Sequence, residues 1–191
     1  MEWFPDYNYI LASRSPRRQQ LLQSLGVQFE VKTHEVEENF PNNLAKEEIP
    51  VYLAKLKSEP FKRELIVKDL LITADTIVWL DNKVLGKPSD KSEAKSMLSE
   101  LSGKEHQVIS GVCLTSIQKQ VAFYSLSSVR FKELTKAEID FYISHNNSFD
   151  KAGSYGIQDW IGIIGITSIE GSFYNVIGLP IQKLYEEIQK F

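Results

Sequence analysis

Three arginines crowd the start of one predicted helix, in the segment Ser13-Arg14-Ser15-Pro16-Arg17-Arg18. The segment runs from the end of a strand into a first helical turn. Ser15 suits the N-cap and Pro16 suits N1, where its missing N–H costs nothing. The arginines carry the wrong sign for this end of a helix, whose dipole favours negative charge. An anion would resolve the conflict. Backbone N–H groups, the hydroxyls of Ser13 and Ser15 and the guanidinium forks would then converge on it, as a phosphate requires. The alternative is a solvated arginine cluster with Ser15 as a plain cap.

A carboxylate interrupts the apolar run Leu70-Leu71-Ile72-Thr73-Ala74-Asp75-Thr76-Ile77-Val78. Buried there, Asp75 needs a cation, a metal or several donors. It is a candidate general base or metal ligand; a structural aspartate at a strand end is the other reading. In Leu85-Gly86-Lys87-Pro88, Gly86 lets the backbone approach a ligand closely and Lys87 brings a point charge. An ordinary turn with an exposed lysine explains this segment as well, and the same holds for Lys57. Glu37 and Glu38 are either a solvated acidic face or a pair able to hold Mg²⁺. The loop from Asp150 to Gln158 ends in an amide that both donates and accepts, as reading a base edge requires. An unremarkable surface glutamine is the alternative.

Mixed elements position these residues. Tyr9–Ala12 and Val27–Val31 read as strands, with a helix from Pro16 to Leu25 between them, stopped by Gly26. Residues 35–43 are acidic and turn-prone, and Glu47–Lys57 is helix-like. Leu70–Leu80 is the strongest strand of the first half. Asp81-Asn82 reads as a hairpin turn, with Val84-Leu85 as a short return. Lys91–Leu101 is a helix closed by Gly103. Val108–Ser116 and Val121–Phe131 read as antiparallel strands. Thr135 with Glu138 is a capping-box pattern opening a helix through Ile143. The glycine-rich tail reads as β-rich apolar runs before a Pro180-initiated helix to Ile188. Strands and helices mix without strict alternation, which predicts a mixed α/β sheet rather than a doubly wound one.

Composition agrees. The 191 residues fit one domain, 1–191, and 42% hydrophobic with 25% charged residues excludes a disordered chain. A net charge of −3 argues against nucleic acid as the main partner. The lone Cys113 excludes a disulfide framework or a four-cysteine zinc site, and His34, His106 and His145 lack zinc spacing. A reducing cytoplasm is the expected compartment. The acidic N-terminus lacks a secretory n-region, and no apolar run is long enough to span a membrane.

Taken in order, the segments resemble the Maf family of nucleotide pyrophosphatases from Ile10 to about Leu184. The resemblance rests on Leu11-Ala12-Ser13-Arg14-Ser15-Pro16-Arg17-Arg18, Leu53-Ala54-x-x-Lys57, Ala74-Asp75-Thr76, Leu85-Gly86-Lys87-Pro88 and Asp150-Lys151-Ala152-Gly153-x-Tyr155-Gly156-Ile157-Gln158. It extends to Leu101-Ser102-Gly103-Lys104-x-His106-x-Val108 and Ile169-Glu170-Gly171-Ser172. Ser58 departs from the usual Ala, and Phe173 from the usual Tyr.

The resemblance implies an elongated mixed sheet flanked by helices. It implies two lobes around a cleft, of the Maf and inosine triphosphate pyrophosphatase type, often as a homodimer. It implies hydrolysis of a nucleoside triphosphate to monophosphate and pyrophosphate, with a divalent cation, Mg²⁺ or Mn²⁺. Asp75 maps to the proton acceptor, and Glu38 to an acidic position near metal and triphosphate. Ser13, Arg17, Arg18, Lys57 and Lys87 map to the phosphate surroundings. Arg17, Thr76 and Gln158 read as in the branch that hydrolyses dTTP and UTP, with modified pyrimidine nucleotides as further candidates. Two alternatives stay open: hydrolysis of another phosphorylated metabolite, and a non-catalytic nucleotide-binding regulator of cell division.

Overall fold

The computed structural model describes residues 3–146 and 148–191; Met1 and Glu2 of the acidic N-terminus, and Asn147, lie outside the described residues. The strands are β1 (Asn8–Leu11), β2 (Phe29–Val31), β3 (Asp69–Leu80), β4 (Lys83–Leu85), β5 (Glu105–Thr115), β6 (Gln120–Phe131) and β7 (Ile166–Glu170). The α-helices are α1 (Pro16–Ser24), α2 (Glu48–Ser58), α3 (Lys91–Leu101), α4 (Lys136–His145), α5 (Trp160–Gly165), α6 (Phe173–Ile177) and α7 (Ile181–Lys190). The strands form one seven-stranded sheet in the order β2-β1-β3-β5-β6-β7, with β4 paired to β3. Parallel pairs (β1 with β2 and with β3) and antiparallel pairs (β3 with β4, β6 with β7) occur together, so the sheet is mixed as expected. No helix among the described residues is long and apolar enough to cross a membrane.

The chain divides into two compact units. The first comprises Met1–Thr76, Ser110–Ser125 and Gly178–Phe191. Here Leu21 and Leu22 turn α1 inward, and Ile10 and Leu71 pack with Phe61 and Leu65. Helix α2 lies directly on the sheet. A Cβ at Gly111 would come within 2.3 Å of the Pro50 backbone, so only glycine permits the approach. The Thr73 hydroxyl, fully buried on β3, donates to the Ala54 carbonyl of α2 at 2.7 Å. The buried Ser58 donates to the Lys55 carbonyl at 2.6 Å and accepts from Gln120 at 3.0 Å. These bonds satisfy hydroxyls that would otherwise be costly to bury, and they fix the turn of α2 that carries Lys57. Nearby, Cys113 is fully buried, and burial pushes its thiol pKa up.

The second unit comprises Ile77–Ile109 and Leu126–Ile177. Its core gathers Val78, Leu98, Leu101, Phe131, Tyr142 and Ile161. The Asp90 carboxylate caps α3 by accepting from the Glu93 N–H, and Thr135 and Glu138 close the expected capping box on α4. Asp81 and Asn82 both have positive φ, 48° and 62°, as the two-residue hairpin turn between β3 and β4 demands. The tail departs from expectation: between Trp160 and Ile177 it forms α5, β7 and α6, so the glycine-rich stretch is largely helical rather than β-rich.

His106 is 2% exposed in this unit, shares a hydrogen bond with the Tyr155 hydroxyl at 2.7 Å, and stacks on Phe131. Burial pushes its pKa down from the ordinary 6.5 to about 4. Above pH 6.5 the ring is neutral folded or unfolded, and pH has no effect through it. Between pH 6.5 and 4 the unfolded chain binds a proton that the native ring refuses, so stability falls with falling pH. The total loss expected from His106 is about 3 kcal/mol at about 1.4 kcal/mol per unit. Denaturant unfolding at pH 7 and 4.5, with an NMR titration of the ring, measures this. A ring that titrates near 6.5 in the native protein would rule it out.

Candidate active site

The first unit assembles most of the sequence candidates. Strand β3 carries Asp75, whose side chain is nearly buried, and the α2 ammonium of Lys57 lies 2.6 Å from its Oδ1. The same Nζ reaches Glu38 Oε1 at 2.9 Å. One cation thus balances two carboxylates from distant segments, which meets the requirement of a carboxylate buried in an apolar strand. Glu38 comes from the acidic 35–43 segment, which forms neither helix nor strand, so side-chain pairing takes the part that a regular element plays for Asp75 and Lys57.

The arginines of α1 separate into different roles. Arg14 is exposed and faces the acidic segment, with Glu35 at 3.4 Å. Arg17 is half-buried at the first turn of α1. Arg18 turns inward: Nε donates to the Gly178 carbonyl at 2.8 Å, Nη1 to the Ala74 carbonyl at 2.8 Å and Nη2 to the Thr76 hydroxyl at 3.0 Å. Two of these bonds hold the chain on either side of Asp75, and the third ties it to Gly178. Burial lowers the pKa of this guanidinium, while the fields of Asp75 and Glu38 act to raise it.

Thr76 is occupied as well. Its Oγ1 accepts from Arg18, lies 2.8 Å from Ser110 Oγ, and sits 3.3 Å from the Gly178 carbonyl. A hydroxyl has one proton to give, and these neighbours already claim it. Ser13 is buried, and its Oγ accepts from the Ser15 N–H at 3.2 Å. The Ser15 side chain makes no capping bond, although Ser15 stands at the N-cap with Pro16 behind it. The first-turn N–H groups of α1 thus lack the side-chain acceptor a serine cap usually supplies.

Lys87 and Gln158 belong to the second unit. Lys87 is exposed just beyond β4, and Gln158 is exposed in a turn between the buried Ile157 and α5. The Gly153 N–H donates to the Gly86 carbonyl at 3.0 Å, joining the two loops that carry them.

The profile of the family described as Maf-like protein matches residues 8–191. This chain belongs to the Maf family. A curated relative from Phocaeicola vulgatus, named dTTP/UTP pyrophosphatase, is 51% identical over 191 residues, covering 100% of this chain and 99% of the relative. One of the same name from Bacteroides thetaiotaomicron is 52% identical over 185 residues, covering 96% of each. Another from Parabacteroides distasonis is 47% identical over 192 residues, covering 100% of each. Among solved structures, the Staphylococcus aureus Ham1 protein aligns at 14% identity and TM-score 0.46, covering 65% of this chain and 71% of its own.

In this Maf chain two site neighbours escape a reading of the sequence. Ser110 is a buried serine in an apolar strand, a pattern like that of Asp75 and so detectable in principle. Gly178, at φ 125°, supplies a carbonyl to Arg18 and Thr76. Only its place before Leu179-Pro180 marks it in the sequence. Among the described residues no three His, Cys, Asp or Glu side chains gather as a metal cage.

Proposed function

We propose that this chain is a nucleoside triphosphate pyrophosphatase that hydrolyses dTTP and UTP to the monophosphate and pyrophosphate. The observation that carries the reading is Asp75. It is a buried strand carboxylate with an ammonium 2.6 Å away and an arginine fork gripping the backbone beside it. A pocket that only bound phosphate would gain nothing from that carboxylate, which repels an anion.

Lys57 occupies Oδ1, so we assign Oδ2 as the acceptor of the attacking water's proton. Pyrophosphate gains charge as it leaves. Arg17 and the first-turn N–H groups of α1, together with Lys57 and Lys87, are the groups we assign to that charge. Ser13 is assigned to the same phosphate surroundings. Arg18 contributes chiefly by holding the strand that carries Asp75.

The donor set suits Mg²⁺ or Mn²⁺. Hard oxygen ligands are needed, and Mg²⁺ typically takes one or two carboxylates and completes its shell with substrate phosphates and water. Asp75 and Glu38 offer two carboxylates joined through one ammonium, and they are the residues we assign to hold the ion. When bound, it would offset part of the triphosphate charge.

Base selection is assigned to Gln158. Thymine and uracil present a carbonyl–NH–carbonyl edge, and an amide can accept from N3–H and donate to a neighbouring carbonyl. Cytosine, with an acceptor at N3 and an amino group at C4, leaves that pairing unmade, and such mismatches cost orders of magnitude in a fitted site. Because the Thr76 hydroxyl is already engaged by Arg18 and Ser110, it is not assigned to the base as a free donor.

The test is a screen of common and modified nucleoside triphosphates, with nucleotide product and pyrophosphate both quantified, with Mg²⁺, with Mn²⁺ and with excess chelator. The expected result is monophosphate and pyrophosphate in equal amounts, dTTP and UTP ahead of CTP, GTP and ATP in kcat/KM, and no turnover in chelator. Orthophosphate as the product would point to a different phosphohydrolase, and binding without turnover to a regulator. A purine preference would remove the assignment of Gln158, and full turnover of metal-free protein in chelator would remove the metal.

A further inference from the structure

Gln158 is held by a turn whose two ends meet on a single hydroxyl. The Asp159 N–H donates to the Gly156 carbonyl at 3.0 Å, closing a four-residue turn with Ile157 and Gln158 at its centre. Ile157 is buried and Gln158 is exposed. From α4, the Tyr142 hydroxyl accepts from the Gly156 N–H at 3.3 Å and donates to Asp159 Oδ2 at 2.8 Å. One oxygen therefore grips the first and the last residue of the turn. Lys151 adds an ammonium 3.5 Å from the same Asp159 oxygen and pairs with Asp150 at 3.0 Å. Asp159 also starts α5, accepting from the Ile163 N–H through its carbonyl at 3.0 Å.

We infer that Tyr142 is a positioning residue for base selection: by clamping both ends of the 156–159 turn it fixes the backbone from which the Gln158 side chain reaches the base. The inference rests on the reading of Gln158 as the base-contacting residue.

Three observations favour a built device over incidental packing. Tyr142 is 0% exposed, so its ring is fixed by the core and the hydroxyl cannot drift. Burial, then the bond to Asp159, raise the pKa of the phenol, so it stays a donor at working pH. Finally, the ring packs in an apolar core with Leu98, Leu101 and Ile161, so its placement rests on contacts of the ring rather than of the hydroxyl. On an unclamped turn the starting point of the Gln158 side chain would shift, and an amide displaced by about 1 Å cannot make both of its bonds to the base edge. Discrimination by an amide thus requires that the backbone carrying it be held in place.

The experiment compares Tyr142→Phe, Asp159→Ala, Asp159→Asn and Gln158→Ala with the wild type. It reads the UTP-to-CTP ratio of kcat/KM, the Kd for inorganic pyrophosphate and the melting temperature. Tyr142→Phe and Asp159→Ala are each expected to lower the ratio about tenfold, the net scale of one lost hydrogen bond. The pyrophosphate Kd should stay within about twofold. Asp159→Asn, which keeps an acceptor for the phenol, should retain most of the ratio. A loss of folded protein alone scales both substrates equally and leaves the ratio unmoved, so the ratio separates positioning from stability. Should Tyr142→Phe fail to fold, Asp159→Ala decides, since it breaks the clamp from the solvent side. An unchanged ratio in folded clamp variants, with a collapsed ratio in Gln158→Ala, overturns the clamp and spares the base assignment. An unchanged ratio in Gln158→Ala overturns both.

Discussion

Asp75→Asn lowers kcat by about 10²–10⁴-fold, the range expected when general-base assistance is lost. That corresponds to about 3–5 kcal/mol of barrier. The substitution is nearly isosteric, and the side-chain oxygen can still accept from Lys57, which keeps Glu38 as its ionic partner. Folding should therefore survive, and KM should change far less than kcat. Steady-state pyrophosphate release with a thermal melt of the same preparation measures both. A folded Asp75→Asn variant that turns over at the wild-type rate takes Asp75 out of the chemistry.

Arg17→Ala and Arg18→Ala should part company. Adjacent in sequence and alike in type, they invite one expectation: loss of phosphate affinity with little change, or even a gain, in stability. For Arg17, at the positive end of α1, that expectation is the prediction, because removing a like charge there favours the helix. Its loss should cost at least about tenfold in kcat/KM with an unchanged melt. Arg18 donates to Ala74, Gly178 and Thr76. Its removal leaves carbonyls without donors and frees the backbone that aims Asp75. A charged hydrogen bond is worth about 1.5–3 kcal/mol, so a visible drop in melting temperature should accompany the lost activity. Equal melts for the two variants would return Arg18 to the phosphate.

Several elements are legible in the sequence because their signals are local. Strand β3 is a long apolar run, α3 opens on Asp90 and closes near Gly103, and α4 carries its capping box in four residues. The tail reads wrongly as β-rich because α5 and α6 span six and five residues, too few to show a 3.6-residue period. Its glycines suggest turns. Two of them instead permit close packing, with Gly162 against the Ile157 carbonyl and Gly165 against the Phe131 ring. The inward turn of Arg18 is invisible for a different reason: its carbonyl partners lie 56 and 160 residues away. Motif order brings Lys57, Glu38 and Asp75 together as a group, but only the folded chain reveals that a single ammonium serves both acids.

The burial of Cys113 has a practical use. It is the chain's one cysteine, 0% exposed, with its thiol pKa raised. Alkylating reagents attack the thiolate at an accessible sulfur, so the folded protein should be silent to maleimides. A cysteine placed at an exposed site such as Lys87 or Gln158 would then carry a fluorophore or spin label with no background, and no cysteine-free parent need be made. Mass spectrometry of the wild type after maleimide treatment, with and without denaturant, checks this: one adduct is expected only in denaturant. An adduct on the folded protein would mean that the strands over Cys113 open on the time scale of labelling, and the same reagent would then report the rate of that opening.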